Sequence, residues 1–296
     1  MGKRMRDKFF VCWGMIIAAL SLASFNWPVE ENRRVTSSFG ESRYDHFHNG
    51  VDMSSSDMKI YPAEEGKVIF LFTRSLFPLE NYPGGGNFMI LTHGGVYFSV
   101  YMHLEDGLST ASVYQKKDAL GRMGNTGRSY ASHLHFSVYE IKNGISINPL
   151  SVMPSSDDNK APDILDLYLR IGEKYVLIKD GSHIRLTRNY PLLLKISDSL
   201  TGREQVGVYK LMVSHNEKLI FETVFDKIVI SGKGLLIDKK EHDTLYDEKG
   251  FYKIENVSYS EGENIFRITA SDYAGNTSER EFSFAVKLDM KDGNSK

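Results

Sequence analysis

The segment HLHFSVYE, residues 133–140, alternates strictly between polar and apolar side chains. Successive side chains of a β-strand point to opposite faces of the sheet, so this alternation predicts a strand with one buried face. The buried face would hold the apolar residues Leu134, Phe136 and Val138. The other face would line a cleft with His133, His135, Ser137 and Tyr139. Apolar residues thus face the core, and two imidazoles face the cleft.

A second strand is predicted over VYFSVYMH, residues 96–103, where alternation recurs. We expect its apolar set to face the core: Val96, Phe98, Val100 and Met102. We expect the opposite set to face the cleft: Tyr97, Ser99, Tyr101 and His103. Two more strands are predicted, GKVIFLF (66–72) and NFMILTH (87–93), with glycine-rich turns nearby and no long helical period. The first half of the chain is therefore predicted to be all-β.

The pentapeptide HNGVD, residues 48–52, contributes His48 and Asp52. An extended segment would place residues four apart on one side, and Gly50 permits a tight backbone between them. A catalytic zinc has three protein ligands and one open position, where water becomes a nucleophile near neutral pH. With the histidines of the two strands, the chain supplies three metal ligands and two further imidazoles. By contrast, we interpret His46 as a bystander and His93 as structural.

These motifs resemble those of the LytM/lysostaphin-type zinc endopeptidases, peptidase family M23. The family pattern is H-x-x-x-D, then a histidine near a strand end, then H-x-H, and all five positions are filled here. VTSSFG (35–40), GNTGRS (124–129) and NPL (148–150) also agree with it. The resemblance covers roughly residues 33–153. It implies an antiparallel β catalytic domain that binds Zn²⁺ through His48, Asp52 and His135. It also implies catalytic roles for His103 and His133, as general base or transition-state stabiliser.

The resemblance implies a zinc-dependent endopeptidase that hydrolyses peptide bonds in peptidoglycan stem peptides or cross-links. The sequence departs from the family where Tyr130, Ala131 and Ser132 replace a frequent Thr-Gly-Pro run, which concerns substrate preference. One alternative is a non-catalytic LytM-like protein that binds the wall or activates an amidase, although such proteins typically have degraded ligand positions. A second alternative is another His/Asp metal protein, similar to a cupin or a non-haem iron oxygenase, which would leave HNGVD and YMHL unexplained.

The N-terminal 23 residues are interpreted as a targeting segment. The basic stretch MGKRMRDK precedes the apolar run Phe9–Ala23, which ends in a small-x-small site. A cleaved signal peptide and an uncleaved membrane anchor both fit this pattern. Either interpretation places the rest of the chain outside the cytoplasmic membrane, in the periplasm or cell envelope. The single cysteine, Cys12, lies in this segment, so zinc ligands elsewhere must be histidine or carboxylate.

The chain of 296 residues is long enough for two domains. We predict a peptidase domain at residues 24–153, a polar linker at 154–163, an Ig-like β-sandwich at 164–288 and a polar tail at 289–296. Regularly spaced short strands and the stretch GENIFRITASDYAGNTSEREFSFAV (262–286), which resembles the last hairpin of bacterial Ig-like domains, support the sandwich. We expect this domain to bind the wall or a protein partner. The net charge of −2 gives no indication of nucleic-acid binding.

Overall fold

The computed structural model describes residues 25–30, 32–200, 204–232 and 234–289. The predicted targeting segment, including Cys12, lies outside the described residues, as does most of the predicted polar tail. Among the described residues, no helix is both long and apolar enough to span a membrane. Nearly all regular structure is β, and all but one of the strand pairs are antiparallel, so the predicted all-β class is confirmed.

The described residues of the first half of the chain form ten strands: β1 (Arg34–Ser37), β2 (Val51–Ser54), β3 (Lys59–Ile60), β4 (Gly66–Phe72), β5 (Asn87–His93), β6 (Tyr97–Leu104), β7 (Val113–Tyr114), β8 (Gly121–Arg122), β9 (Leu134–Glu140) and β10 (Ile145–Ile147). The central strand, β9, pairs with β6 along one edge and with both β2 and β10 along the other. The sheet continues from β6 through β5 and β4 to β7, while β3 and β8 form a separate pair. A 3₁₀-helix at Pro149–Ser151 follows β10.

The alternation of β9 follows the prediction, since Leu134, Phe136 and Val138 are fully buried. The alternation predicted for β6 is wrong. Tyr101 pairs with Phe136 and is fully buried, and its hydroxyl accepts a hydrogen bond from the Ala63 N–H at 2.8 Å. Tyr101 therefore faces the core and does not line the cleft. Burial of the large tyrosine ring stabilises the fold more than burial of the hydroxyl costs, because the hydroxyl has a backbone hydrogen-bond partner.

The second half contains the remaining elements: β11 (Asp163–Ile171), β12 (Lys174–Leu177), β13 (Ser182–Leu186), β14 (Leu192–Ser197), β15 (Lys210–His215), β16 (Lys218–Val224), β17 (Lys227–Ser231), β18 (Gly234–Leu236), α1 (His242–Leu245), β19 (Tyr252–Ile254), β20 (Gly262–Ser271) and β21 (Thr277–Leu288). Two sheets are formed, in the orders β12-β11-β14-β19 and β13-β21-β20-β15-β16. Inward residues of both sheets, such as Leu194 and Phe266, are buried in one hydrophobic cluster. The Ig-like assignment and the exact domain limits stay predictions.

The hairpin of β17 and β18 does not join either of these two sheets. Instead, β17 pairs with β10 of the first half, at Ser146↔Ile228 and Ile147↔Lys227. The hairpin thereby extends the large sheet to ten strands. The two halves of the chain consequently share backbone hydrogen bonds as well as a linker.

Candidate metal centre and catalytic cleft

Three side chains converge at the edge where β2 meets β9. Oδ1 of Asp52 lies 2.9 Å from Nδ1 of His135 and 3.1 Å from Nε2 of His48, and the two ring nitrogens are 3.0 Å apart. The three residues form one of the groups that could hold a metal ion among the described residues. The sequence predicted these same three as ligands, and the fold brings them together.

Strand register and one glycine position the ligands. Asp52 and His135 are direct partners across the β2–β9 pair, so their side chains lie on one face of the sheet. A Cβ on Gly50 would lie 2.5 Å from the Phe136 carbonyl oxygen and 2.7 Å from Nε2 of His135. Only glycine lets the backbone before β2 approach His135 this closely. Gly50 therefore permits the approach of HNGVD to β9.

Each ligand is held by a second hydrogen bond. Nδ1 of His48 lies 2.8 Å from the carbonyl oxygen of Ser38, and Nε2 of His135 lies 2.9 Å from the Ser137 hydroxyl. Arg43 donates to Oδ2 of Asp52 at 2.7 Å. Such outer partners fix the orientation of metal ligands and tune their basicity.

The protonation states also suit metal binding. Burial raises the pKa of Asp52, but hydrogen bonds with His135 and His48 outweigh burial and hold that pKa well below its usual range. Burial lowers the pKa of His135 to about 4. At neutral pH the carboxylate is therefore ionised and the imidazole neutral, which are the forms that bind metals.

The lone pairs of the cluster face one another. The Ser38 carbonyl can only accept, so Nδ1 of a neutral His48 carries the proton and Nε2 presents a lone pair. That lone pair points at Oδ1 of Asp52, which is also an acceptor. Two acceptors at this distance require a cation or a shared proton between them. The donor atoms lie slightly closer than the edge of about 3.3 Å of a tetrahedron with zinc bonds of about 2.0 Å, so the donor set fits a small divalent metal.

The two remaining histidines lie beside this cluster. The rings of His103 and His133 are 4.8 Å apart, and Nε2 of His133 is 3.7 Å from Oδ1 of Asp52. Their Nδ1 atoms lie 2.8 Å from the carbonyl oxygens of Thr126 and Ala131, respectively. Both carbonyls accept from Nδ1–H, so both Nε2 atoms are left for the cleft.

His103 reaches the cleft through an unusual backbone conformation. It follows Met102, which pairs with His135, so a regular strand would point His103 toward the core. Its φ of 63° lies in the left-handed region, which is uncommon for residues other than glycine. This local turn directs the imidazole toward His133. Burial lowers the pKa of His103, against the opposing effect of the Thr126 hydrogen bond, and so favours the neutral ring.

The cleft is a groove of about 840 Å³, with the exposed Tyr44 and Tyr130 on its rim. His46 also lines the groove, but it is exposed, pairs with Asp45 at 2.6 Å, and does not belong to the ligand group. His93 is buried, with Nδ1 2.9 Å from the Glu65 carbonyl and Nε2 2.8 Å from the Ser99 hydroxyl. The bystander and structural interpretations of these two histidines agree with their positions.

Sequence reasoning missed the network behind His48. Glu41 accepts hydrogen bonds from the Ser38 N–H at 2.6 Å and from the Gly207 N–H at 3.0 Å, and it also contacts the Ser37 hydroxyl. The Ser38 carbonyl in turn orients His48. Farther along, the Tyr246 hydroxyl donates to the Gly40 carbonyl at 2.9 Å. The C-terminal half therefore holds the loop that supports the metal centre, and no local motif indicates this contact.

The model of peptidase family M23 matches residues 46–149. This segment is an M23 peptidase domain. A separate family model matches residues 161–287. The matched segment contains all three candidate ligands and both cleft histidines: His48, Asp52, His103, His133 and His135.

Several known proteins are similar to the M23 domain. A protein of Haemophilus influenzae named an uncharacterized metalloprotease is 32% identical over 134 residues, which are 43% of this chain and 26% of that protein. The peptidoglycan DD-endopeptidase ShyA of Vibrio cholerae is 29% identical over 128 residues, 40% of this chain and 28% of ShyA. The crystal structure of a zinc-containing peptidase from Vibrio cholerae has 30% identity and a TM-score of 0.33, and the match covers 39% of this chain and 36% of that one. The chain thus spans little more than a quarter of the two curated relatives.

Proposed function

We propose that this chain is a zinc-dependent endopeptidase that hydrolyses peptide bonds of peptidoglycan stem peptides or cross-links. The observation that carries the proposal is the convergence of His48, Asp52 and His135 beside two imidazoles whose Nε2 atoms face the same groove. The M23 match and the relatives named as peptidoglycan endopeptidases support the substrate class. Degraded ligand positions would favour a non-catalytic relative, and the ligand positions here are intact.

Zinc is the metal that best suits two imidazoles and one carboxylate, a known catalytic ligand set. When bound, it would supply Lewis-acid chemistry, polarising a peptide carbonyl and making water nucleophilic near neutral pH. The chain itself holds the ligands in their binding forms through Ser38, Ser137 and Arg43. A preformed outer shell reduces the reorganisation that metal binding requires.

His103 is proposed as the general base. Its Nδ1–H donates to Thr126, and the lowered pKa keeps the ring neutral, so Nε2 can accept a proton from the attacking water. The same nitrogen can then return the proton to the leaving amine.

His133 is proposed to stabilise the developing negative charge on the carbonyl oxygen. Its Nδ1 is held by the Ala131 carbonyl, which points Nε2 into the cleft. Nε2 of His133 lies 3.7 Å from Oδ1 of Asp52, so a proton on this nitrogen would be placed beside the candidate metal centre. A preorganised donor beside the scissile bond stabilises the transition state.

The C-terminal half is proposed to position the catalytic half and to contact the wall or a protein partner. The hydrogen bonds from Gly207 to Glu41 and from Tyr246 to Gly40 support the positioning role. We also propose that the chain acts outside the cytoplasmic membrane, in the periplasm or cell envelope. This location is supported by the basic stretch and apolar run of its first 23 residues and is testable by cell fractionation.

Mass analysis of fragments released from purified peptidoglycan tests the function. The full chain loaded with zinc should release new peptide ends, whereas His103→Asn should release them on the order of 10²–10⁴ times more slowly while keeping zinc. Asparagine tolerates the left-handed backbone at this position, so the substitution removes the imidazole without straining the turn.

His46→Ala removes an exposed imidazole outside the ligand group and should also keep its zinc. If the wild-type chain binds zinc but releases no fragment, the non-catalytic alternative replaces the proposal. If His103→Asn equals the wild type in rate, His103 is not the base.

A further inference from the structure

A second cluster of candidate ligands lies outside the cleft and joins residues that are far apart in the chain. Asp158 belongs to the predicted linker, Asp198 directly follows β14, and Asp272 directly follows β20. One carboxylate oxygen from each lies within 4.8 Å of the others. Three like charges at this separation repel one another strongly unless they are protonated or neutralised.

Asp198 is the residue that makes this cluster unusual. It is only 4% exposed, and neither of its carboxylate oxygens has a hydrogen-bond partner of ordinary geometry. Buried carboxylates are normally paired or bound to a metal, because an isolated buried charge costs several kcal/mol. Oδ2 of Asp158 is also buried without a partner. Oδ1 of Asp158 accepts from the Lys160 N–H at 3.0 Å, so three carboxylate oxygens, two on Asp198 and one on Asp158, are without a partner and point to a cation.

Hydrogen bonds fix Asp272 in a position from which it could bind the same cation. It is 1% exposed; its Oδ1 accepts from the N–H groups of Ala274 and Asn276, and its Oδ2 accepts from the Asn276 amide at 2.8 Å. Each carboxylate oxygen has two lone pairs, so one remains on Oδ2. The Asn276 amide also donates to the Asp158 carbonyl at 3.1 Å and links the turn to the linker.

The surrounding charges do not neutralise the cluster. Among the described residues, Lys160 is a cation near the cluster, but it is exposed and pairs with Asp163 at 2.8 Å. Burial raises the pKa of Asp198 to about 7, with Asp272 and Asp158 adding to the shift, while the Ser199 backbone and Lys160 oppose it. A carboxyl in this setting becomes either protonated or a metal ligand.

We propose that Asp158, Asp198 and Asp272 bind a calcium ion that ties the linker to the C-terminal domain. All the donors are oxygens, which suits a hard cation and not zinc. Calcium tolerates the irregular geometry of three carboxylates from separate segments, whereas magnesium demands a near-ideal octahedron. The bound ion would join the linker, the end of β14 and the β20–β21 turn at one point.

Calorimetric titration of calcium into the full chain tests the site. We expect one bound ion, with a dissociation constant on the order of 10⁻⁵–10⁻³ M, and a higher melting temperature in about 5 mM calcium. Asp198→Asn should weaken binding at least about tenfold and abolish most of the melting-temperature shift. If that variant does not fold, Asp158→Asn in the linker removes one ligand and should show the same loss.

Two control variants separate this site from its surroundings. Asp157→Asn removes an exposed carboxylate one residue away and should keep the full calcium response. His135→Ala should also keep it, so a failure of the peptidase proposal leaves this test intact. The proposal is overturned if the wild type neither binds calcium nor gains stability, if Asp198→Asn behaves as the wild type, or if magnesium stabilises equally.

Discussion

The two candidate metal sites of this chain differ in how their clustered polar groups are stabilised. In the cleft, the metal-facing atoms of His48, Asp52 and His135 are supported by hydrogen bonds on their far sides. At the linker, Asp198 is buried with no comparable support. The cleft is thus preorganised, whereas the linker cluster is frustrated without a cation. A preorganised site keeps its structure without the metal. At the linker cluster, by contrast, the stability of the fold should depend on a bound cation.

Removing a cleft ligand should produce the largest effect and leave the linker site untouched. We expect His135→Ala to lose zinc and to lower the rate of peptide release by at least about 10³-fold, because the remaining two ligands cannot hold the metal. Metal analysis and fragment release measure both losses. Retained zinc with full activity would remove His135 from the ligand set.

A substitution in the hydrogen-bond network that supports His48 should have the next largest effect. Glu41→Ala leaves the Ser38 N–H without its acceptor and removes one of the two acceptors of the Gly207 N–H, so we expect the free energy of unfolding to fall by about 1–3 kcal/mol. Zinc affinity should fall as well, since Ser38 orients His48. Denaturant unfolding and zinc titration give the two numbers. Glu41→Gln keeps one acceptor oxygen and should recover part of the lost stability. If Glu41→Ala leaves the zinc affinity unchanged, the contact between the two halves does not support the metal centre.

A smaller effect is expected from one outer hydrogen bond. Ser137→Ala removes the partner of Nε2 of His135, and such losses typically weaken metal binding about 10–100-fold. Competition with a chelator measures the change. Ser75→Ala, a matched hydroxyl deletion outside the cleft, should not alter zinc affinity. Equal zinc affinities in all three proteins would show that the cleft does not depend on its outer shell.

The smallest effect concerns a buried imidazole that binds no metal. Burial lowers the pKa of His93, so the folded state disfavours its protonated form. Its stabilising contribution is therefore present above the unfolded pKa of about 6.5 and is lost as the pH falls below it. We expect His93→Gln to show a shallower loss of stability, by about 1 kcal/mol, between about pH 7 and pH 5. Parallel urea titrations at several pH values check this, and identical pH dependence would contradict it.

Local motifs predicted much of the cleft. The alternation of HLHFSVYE placed Leu134 and Phe136 in the core, and HNGVD brought His48 and Asp52 to one side of β9. Period-two patterning is reliable where one face is uniformly apolar. It failed in β6, where large side chains occupy both faces and the buried set includes Tyr101. The tyrosine ring gains more from burial than its single hydroxyl loses, provided that the hydroxyl finds a partner.

His103 lies in the cleft, as predicted, but strand alternation is not what places it there. Strand alternation grouped it with Tyr101, yet Tyr101 lies in the core and His103 in the cleft. The left-handed φ of His103 reverses its direction. Sequence patterns do not reveal such a conformation at a histidine, because its energetic cost is met by contacts made elsewhere, including the Thr126 hydrogen bond.

Local alternation and side-chain chemistry were sufficient to predict the all-β class and the residue types gathered in the cleft. The partners of Glu41, the pairing of β17 with β10 and the cluster of Asp158, Asp198 and Asp272 became visible only in the folded chain. Those contacts join residues far apart in the chain, at spacings that follow no strand or helix period. Their positions arise from the packing of two sheets and a linker, where burial forces polar groups to find partners or a cation.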